Sequence, residues 1–304
     1  MDVEALRTFV AIHRSGSVTR ASAALFRSQP AVSRRLAMLE RELGVPLFER
    51  VPGGTALSEA GQALLPYAET ALAAVRDAEA AVEAVRSADR GAVTVALVGT
   101  LASTSLTSVL RRFARRHPRV ELVLRTATSR EVSDLVRRAE VSFGLRYAPD
   151  PSPDLHRETL FVERMVVVAA PEHRLAPARE LALGELGAER WIAFPAPPDR
   201  PEASADHIRR ALERAGVDES RILRIDSLTA QKRLVEAGFG IVLVPESAVR
   251  EELAAGSLVT LDVADLDVAV PVLAVARRGG YLGAAARALL DELRAEAGGL
   301  AVPG

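Results

Sequence analysis

Two short helical patterns separated by a turn of about three residues occupy residues 17 to 44, and that spacing constrains the chain more than any other feature. Ser17 is a candidate N-cap for a helix over 18–25, whose Ala21 and Ala24 permit close packing. Phe26 and Arg27 turn the chain, Ser28 is the next candidate N-cap, and Pro30 stands in the first helical turn, where its missing N–H is no loss. Val32, Leu36, Leu39 and Leu43 follow at steps of four, three and four until Gly44 stops the helix. Ahead of both, Leu6, Phe9, Val10 and Ile12 recur at helical spacing up to Gly16. Two short amphipathic helices joined this tightly form a helix-turn-helix.

At about 100° per residue, the four apolar side chains of the second helix cluster inward while Pro30, Arg34, Ala37 and Arg41 point outward. Ser33 lies on the flank and Gln29 at the tip. Gln and Arg make bidentate hydrogen bonds to purine edges, and a helix entering the major groove presents such residues from its first turns. Gln29, Ser33 and Arg34, with Ser28 and Pro30 beside them, are therefore candidate DNA contacts; the ordinary solvated face of a surface helix is the competing reading. Residues 45–50 read as a short strand, Gly53-Gly54 as a tight turn and 55–57 as the return, a wing that brings Arg50 and Thr55 near the phosphate backbone. Charge is distributed accordingly: residues 1–58 carry eight arginines against five acids, whereas the formal net charge of all 304 residues is -1.

Ser58 can cap a helix over 59–90. Within it Leu64, Ala68, Ala71, Val75, Ala78 and Val82 alternate steps of four and three, the seam of a coiled coil, and Pro66 removes one helical hydrogen bond. A helix packed on its own chain would show the same alanine-rich stripe. From residue 91 onward, apolar strands (93–98, 120–124, 141–145, 165–169, 191–194, 241–244, 270–276) alternate with helical patterns, which predicts a parallel sheet covered on both faces.

Other chemistries find little support. The chain has no cysteine, its five histidines are scattered without metal-ligand spacing, and it lacks G-x-S-x-G, P-loop and dinucleotide motifs, so neither metal, cofactor nor enzyme activity is expected. No stretch reaches the length of a membrane span and the N-terminus does not read as a signal peptide, so a cytoplasmic location is expected.

Residues 6 to 65 closely resemble the DNA-binding domain of LysR-type transcriptional regulators, through SQPAVSRR, LE-x-ELG-x-x-LFER and L-S-E-A-G in order. The region after 91, with strand-Gly-Thr, F-x-x-x-HP-x-V, VVVAAPEHRLA and LVEAGFGIVLVPE, resembles the effector domain of that family, a type 2 periplasmic-binding-protein fold. The resemblance implies a winged helix-turn-helix domain (1–58), a dimerising linker helix (59–90) and an effector-binding domain (91–304), built as lobe I (91–162 and 268–304) and lobe II (163–267) around a cleft. It implies a homodimer or tetramer on an interrupted palindrome of double-stranded DNA, with RNA polymerase as a further partner. The family's acid-Leu-Asp pattern at one strand is replaced here by Glu140-Val141-Ser142.

Ligands of open α/β sheets sit where strands end and helices begin. Candidate effector contacts are Thr100, Leu101 and Ser103; Thr128 and Ser129; and Ser227 and Thr229. Thr128 with Glu131 also fits a capping box, the structural alternative for such hydroxyls. Arg146 or Lys232 would supply a countercharge and Phe194, with the loop 195–198, an apolar wall, so the expected effector is a small organic anion. Competing functions are a nucleoid-type DNA binder with a vestigial sensor, or a solute binder or enzyme on the binding-protein fold.

Overall fold

The computed structural model describes residues 1–86, 91–103, 106–195 and 203–296. The chain divides after Val85 into two compact units.

In the first unit, Asp2 caps α1 (Val3–Ser15) by accepting from Ala5 N at 2.7 Å, and Gly16 ends it with φ +67°. Ser17 caps α2 (Val18–Ala24), accepting from Arg20 N at 3.1 Å. Phe26, with φ +53°, turns the chain into α3 (Gln29–Leu43). Phe9, Val10, Leu39 and Leu47 form the core, and Ile12, Ala21 and Val32 a second cluster beneath the turn. The helix-turn-helix therefore stands as read, with one correction: Ser28 occupies the N-cap position of α3 but makes no capping hydrogen bond.

The wing is β1 (Phe48–Val51) paired antiparallel with β2 (Gly54–Leu57), Arg50 opposite Thr55. The strand expected over 45–50 starts only at Phe48. Pro46 has no N–H to give a ladder, its carbonyl accepts from the Ser58 hydroxyl at 2.7 Å, and Leu47 is drawn into the core with its N–H donating to Glu40. Thr55 N donates to Gly16 O at 2.9 Å, tying the wing to the end of α1.

α4 (Glu59–Arg86) is one long helix with two apolar faces. Ala68 and Leu72 are buried in the core of the first unit, and Leu64 packs against it. Leu64 and Ala68 thus serve their own chain and leave the expected seam, a correction that follows from Gly61. A Cβ there would lie 2.2 Å from Leu47 O, so the bare glycine lets the first turns of α4 dock against the strand entry. The positions left exposed, Tyr67, Ala71, Ala74, Ala78, Val82 and Val85, themselves repeat at steps of four, three, four, four and three. Val75 is half-buried.

The second unit contains β3 (Ala92–Val98), α5 (Leu106–Arg116), β4 (Glu121–Ala127), α6 (Ser129–Arg137), β5 (Phe143–Tyr147) and β6 (Leu155–Ala169). It continues through β7 (Trp191–Ala193), α7 (Ala203–Arg214), β8 (Ile222–Arg224), α8 (Leu228–Glu236), β9 (Ile241–Pro245), α9 (Arg250–Ala255), β10 (Val259–Thr260), β11 (Ala269–Arg277) and α10 (Ala284–Ala295). The sheet order is β4-β3-β5-β11-β6-β9-β7-β8, with β10 pairing β6. β3 is parallel to β4 and β5, whereas β11 is antiparallel to β5 and β6, and β6 antiparallel to β9. The sheet is therefore mixed, which corrects the all-parallel expectation. The reason is β6: its residues up to Arg164 pair with β11 and those from Met165 with β9, so one strand runs through both halves of the sheet.

Candidate nucleic-acid interface and ligand cleft

On α3 the side chains of Gln29, Pro30, Ser33 and Arg34 are all exposed, as are Ser28 ahead of it and Arg50 on the wing. The α3 side chains face outward because Val32 and Leu39 anchor the opposite side of the helix in the core. Thr55 departs from the reading: its hydroxyl is buried with no hydrogen-bond partner, so it is not offered to a phosphate in this structure. What this face offers is a bidentate amide, a guanidinium and hydroxyls on a helix narrow enough for a major groove, about 12 Å wide.

In the second unit a buried polar chain passes from one half of the sheet to the other. Thr100, in the 3₁₀ turn Gly99–Ser103 after β3, donates its hydroxyl to Tyr147 Oη at 3.2 Å; Tyr147, at the end of β5, donates to Glu163 Oε2 at 3.2 Å. Ser247, in the 3₁₀ turn Glu246–Val249, donates to the other oxygen of Glu163 at 2.8 Å. Burial raises the Glu163 pKa, against the hydrogen bonds from Ser247 and Tyr147 and the charge of Arg250, which lower it. The Tyr147 phenol is pushed well up by burial and then by the Glu163 charge. Tyr147, Glu163 and Ser247 were not singled out from the sequence. The signal was there: Glu163 is a lone acid in the run FVERMVVVAA, where an acid is retained only with partners.

Because the folded pKa of Glu163 lies above its unfolded value, the native state holds the extra proton. That contribution to stability is complete below the ordinary carboxylate range and is lost as pH rises through the raised pKa. Glu163→Gln, which keeps a neutral side chain at every pH, is expected to flatten the thermal-stability profile from about pH 4.5 upward relative to the wild type. Parallel melting curves against pH for the two proteins would refute this.

The expected effector contacts fare unevenly. Arg146 is buried and held by Asp150 at 2.9 Å and Ser133 at 2.5 Å, and Lys232 Nζ lies 2.6 Å from Glu252 and 3.2 Å from Ala248 O. Both expected countercharges are thus internally neutralised, since carboxylates distant in sequence or across a turn reach them first. Leu101 is a core side chain rather than a lining one. Thr128 and Glu131 complete a reciprocal capping box at 2.9 and 3.3 Å, and Ser227 caps α8 from Ala230 N at 3.3 Å. Thr229 is exposed and Phe194 half-buried; the Ser103 side chain and residues 196–198 lie outside the described residues. Ser129 differs from all of these. It opens α6 just past the carboxyl end of β4, is 1% exposed, and its hydroxyl has no hydrogen-bond partner. No group of three or more acidic or histidine side chains among the described residues could hold a metal ion.

Known proteins share this organisation. Residues 3–62 match the family model described as bacterial regulatory helix-turn-helix protein, lysR family, and residues 86–298 match that of the LysR substrate binding domain. The chain is 34% identical to the HTH-type transcriptional regulator CbbR of Xanthobacter flavus over 96% of its own length and 86% of that protein. It is 31% identical to CbbR of Rhodospirillum rubrum, covering 96% and 95% of the two chains. The crystal structure of full-length CbnR in complex with its target DNA covers 97% of this chain and 99% of that one, at 25% identity and a TM-score of 0.62.

Proposed function

The chain belongs to the LysR family of DNA-binding transcriptional regulators with an effector-binding domain, and from that premise we propose how its own residues divide the work. Gln29, Ser33 and Arg34 read base edges in the major groove, with Ser28, Pro30 and Arg50 positioning the helix on the backbone. α4 joins two copies along its exposed stripe, so that a pair of α3 helices meets the two halves of an interrupted palindrome, and dimers associate further into a tetramer. Transcriptional control makes RNA polymerase the further partner, and a DNA ligand places the work in the cytoplasm. No described helix is long and apolar enough to cross a membrane.

The effector binds between the two halves of the second unit, at the first turn of α6 and the Gly99–Ser103 turn. The observation carrying this is the Ser129 hydroxyl, buried and unpartnered in the first turn of a helix. A buried donor without an acceptor costs about 1–3 kcal/mol, and a ligand oxygen removes that cost. With Arg146 and Lys232 occupied, the recognition is by a hydroxyl and the positive end of the α6 dipole, which suits a small carboxylate better than a multiply charged phosphate. Ser129→Ala is expected to weaken the best carboxylate from a calorimetric screen at least about tenfold while leaving DNA affinity without ligand unchanged. Undiminished carboxylate affinity in Ser129→Ala would overturn the site.

A further inference from the structure

A helix about 10–12 Å across with its side chains, lying in a groove about 12 Å wide, has a sugar-phosphate strand along each flank. The flanks of α3 follow from 100° per residue: Gln29, Ser33 and Glu40 lie to one side of the line through Pro30, Arg34, Ala37 and Arg41, and Ala31, Arg35, Met38 and Glu42 to the other. The first flank carries the wing, because Glu40 accepts the N–H of Leu47 at 2.7 Å immediately before β1. The second flank faces the start of α1, and there the structure holds a cavity of about 280 Å³ that the DNA-reading residues do not line.

Three arginines line that cavity, one from each element around it: Arg7 of α1, Arg27 of the turn and Arg35 of α3. A single carboxylate, Glu4, serves two of them, at 2.9 Å from Arg7 and 3.3 Å from Arg35. Glu79 of α4 reaches Arg7 only at 3.8 Å. These pairs are well exposed to solvent, with side-chain exposures of 42 to 48% for Arg7, Glu4 and Arg35, so the fold gains little from them. Three guanidiniums around one acid, in a concave site on the flank of a groove-reading helix, exceed what folding requires. They match an acceptor with several oxygens that accepts charge-assisted hydrogen bonds from more than one arginine.

We propose that Arg7, Arg27 and Arg35 form a phosphate clasp for the DNA backbone strand opposite the one met by the wing, with Glu4 as an internal competitor that releases its arginines when the phosphodiester enters. The inference rests on α3 being the helix that enters the groove. The clasp carries no sequence information; it fixes how deeply and at what angle α3 lies, and it holds affinity down through Glu4.

The test is DNA titration of the full-length protein on a specific site and on a random duplex, across a salt series. Arg27→Ala combined with Arg35→Ala is expected to weaken both duplexes by the same factor, about tenfold or more, and to reduce the slope of log K against log salt by roughly 0.9 for each phosphate lost, or about 2 for a dimer. Glu4→Gln is expected to tighten both duplexes. In the wild type, ethylation of one phosphate per half-site should block binding, and that block should vanish in the double variant. Unchanged affinity and slope in the double variant, or Glu4→Gln that is neutral or weakens binding, would overturn the clasp and leave a surface ion pair. Loss confined to the specific duplex would overturn it as well, since it would mean base reading. Inorganic phosphate that competes with the duplex beyond its ionic strength, in wild type but not in the double variant, would assign the pocket to a free anion instead. Should the double variant fail to fold, Glu4→Gln and the wild-type ethylation pattern decide. Arg34→Ala keeps the two readings apart: if it leaves the specific-to-random ratio unchanged, the groove assignment of α3 fails independently of the clasp.

Discussion

Val82→Asp combined with Val85→Asp is expected to convert the protein to monomers and to cut specific DNA affinity by two orders of magnitude or more. The two valines are 61% and 81% exposed, and Tyr67, at the other end of the same stripe, is 75% exposed. Nothing in their own unit covers them, and a row of apolar residues at coiled-coil spacing is covered by a second helix. A carboxylate placed in that seam would be buried without a partner and would cost several kcal/mol per copy. The effect on DNA follows from linkage, because joining two reading heads raises affinity about 10²–10⁴-fold over either alone and that factor disappears with the dimer. Light scattering and gel-shift titration check both halves of the expectation. A dimeric mass for the double variant would show that the stripe is not the interface.

Phe9→Ala is expected to remove about 3–5 kcal/mol from the first unit, in the range for deleting a fully buried phenyl ring. Phe9 has no exposed surface, and its ring lies 5.4 Å from that of Phe48 at the start of the wing. At about 0.05–0.15 kcal/mol per residue, a unit of this size holds about 4–13 kcal/mol, so the substitution removes a large share of it. The variant should therefore lose DNA binding near 37 °C while its carboxylate affinity at lower temperature is retained. Urea unfolding followed by far-UV circular dichroism would show the first unit melting early. A loss below about 1 kcal/mol would mean that the site relaxes around the missing ring.

The parts of this molecule that were legible in its sequence are those decided within a few residues. The three helices of the DNA-binding unit, the glycines that end two of them and the Thr128–Glu131 capping box are set by local periodicity and capping chemistry. The seam of α4 was only half legible. A helix with two apolar faces offers two registers of the same repeat, and Gly61, which commits one face to the chain's own core, acts through a carbonyl contributed by a different segment. In the sequence β6 is legible only over 165–169, because His156, Arg157 and Glu158 in succession, and then Glu163 and Arg164, break both the apolar run and any strict alternation. β8, α9 and β10, at three, six and two residues, are too short for any period to register. Arg146 and Lys232 look like open charges in the sequence since Asp150 and Glu252 meet them only after folding. No sequence pattern links Arg7, Arg27 and Arg35 for the same reason, since they come together from three separate elements.

β11 has a consequence for how this protein is made. It is the strand that closes the edge of β5, yet it lies about 120 residues further along the chain. At translation speeds of roughly 5–20 residues per second, β5 emerges on the order of ten seconds before its partner exists. All five residues of β5 are buried in the finished sheet, so the nascent chain carries an apolar strand with an open edge throughout that interval. The DNA-binding unit is complete before this wait begins, whereas the sensor is finished only after its last strand is delivered. Ribosomal pausing or premature termination between residues 148 and 268 would therefore yield a chain that has its reading head but an unsealed sheet, a product destined for chaperones and proteases rather than for promoters.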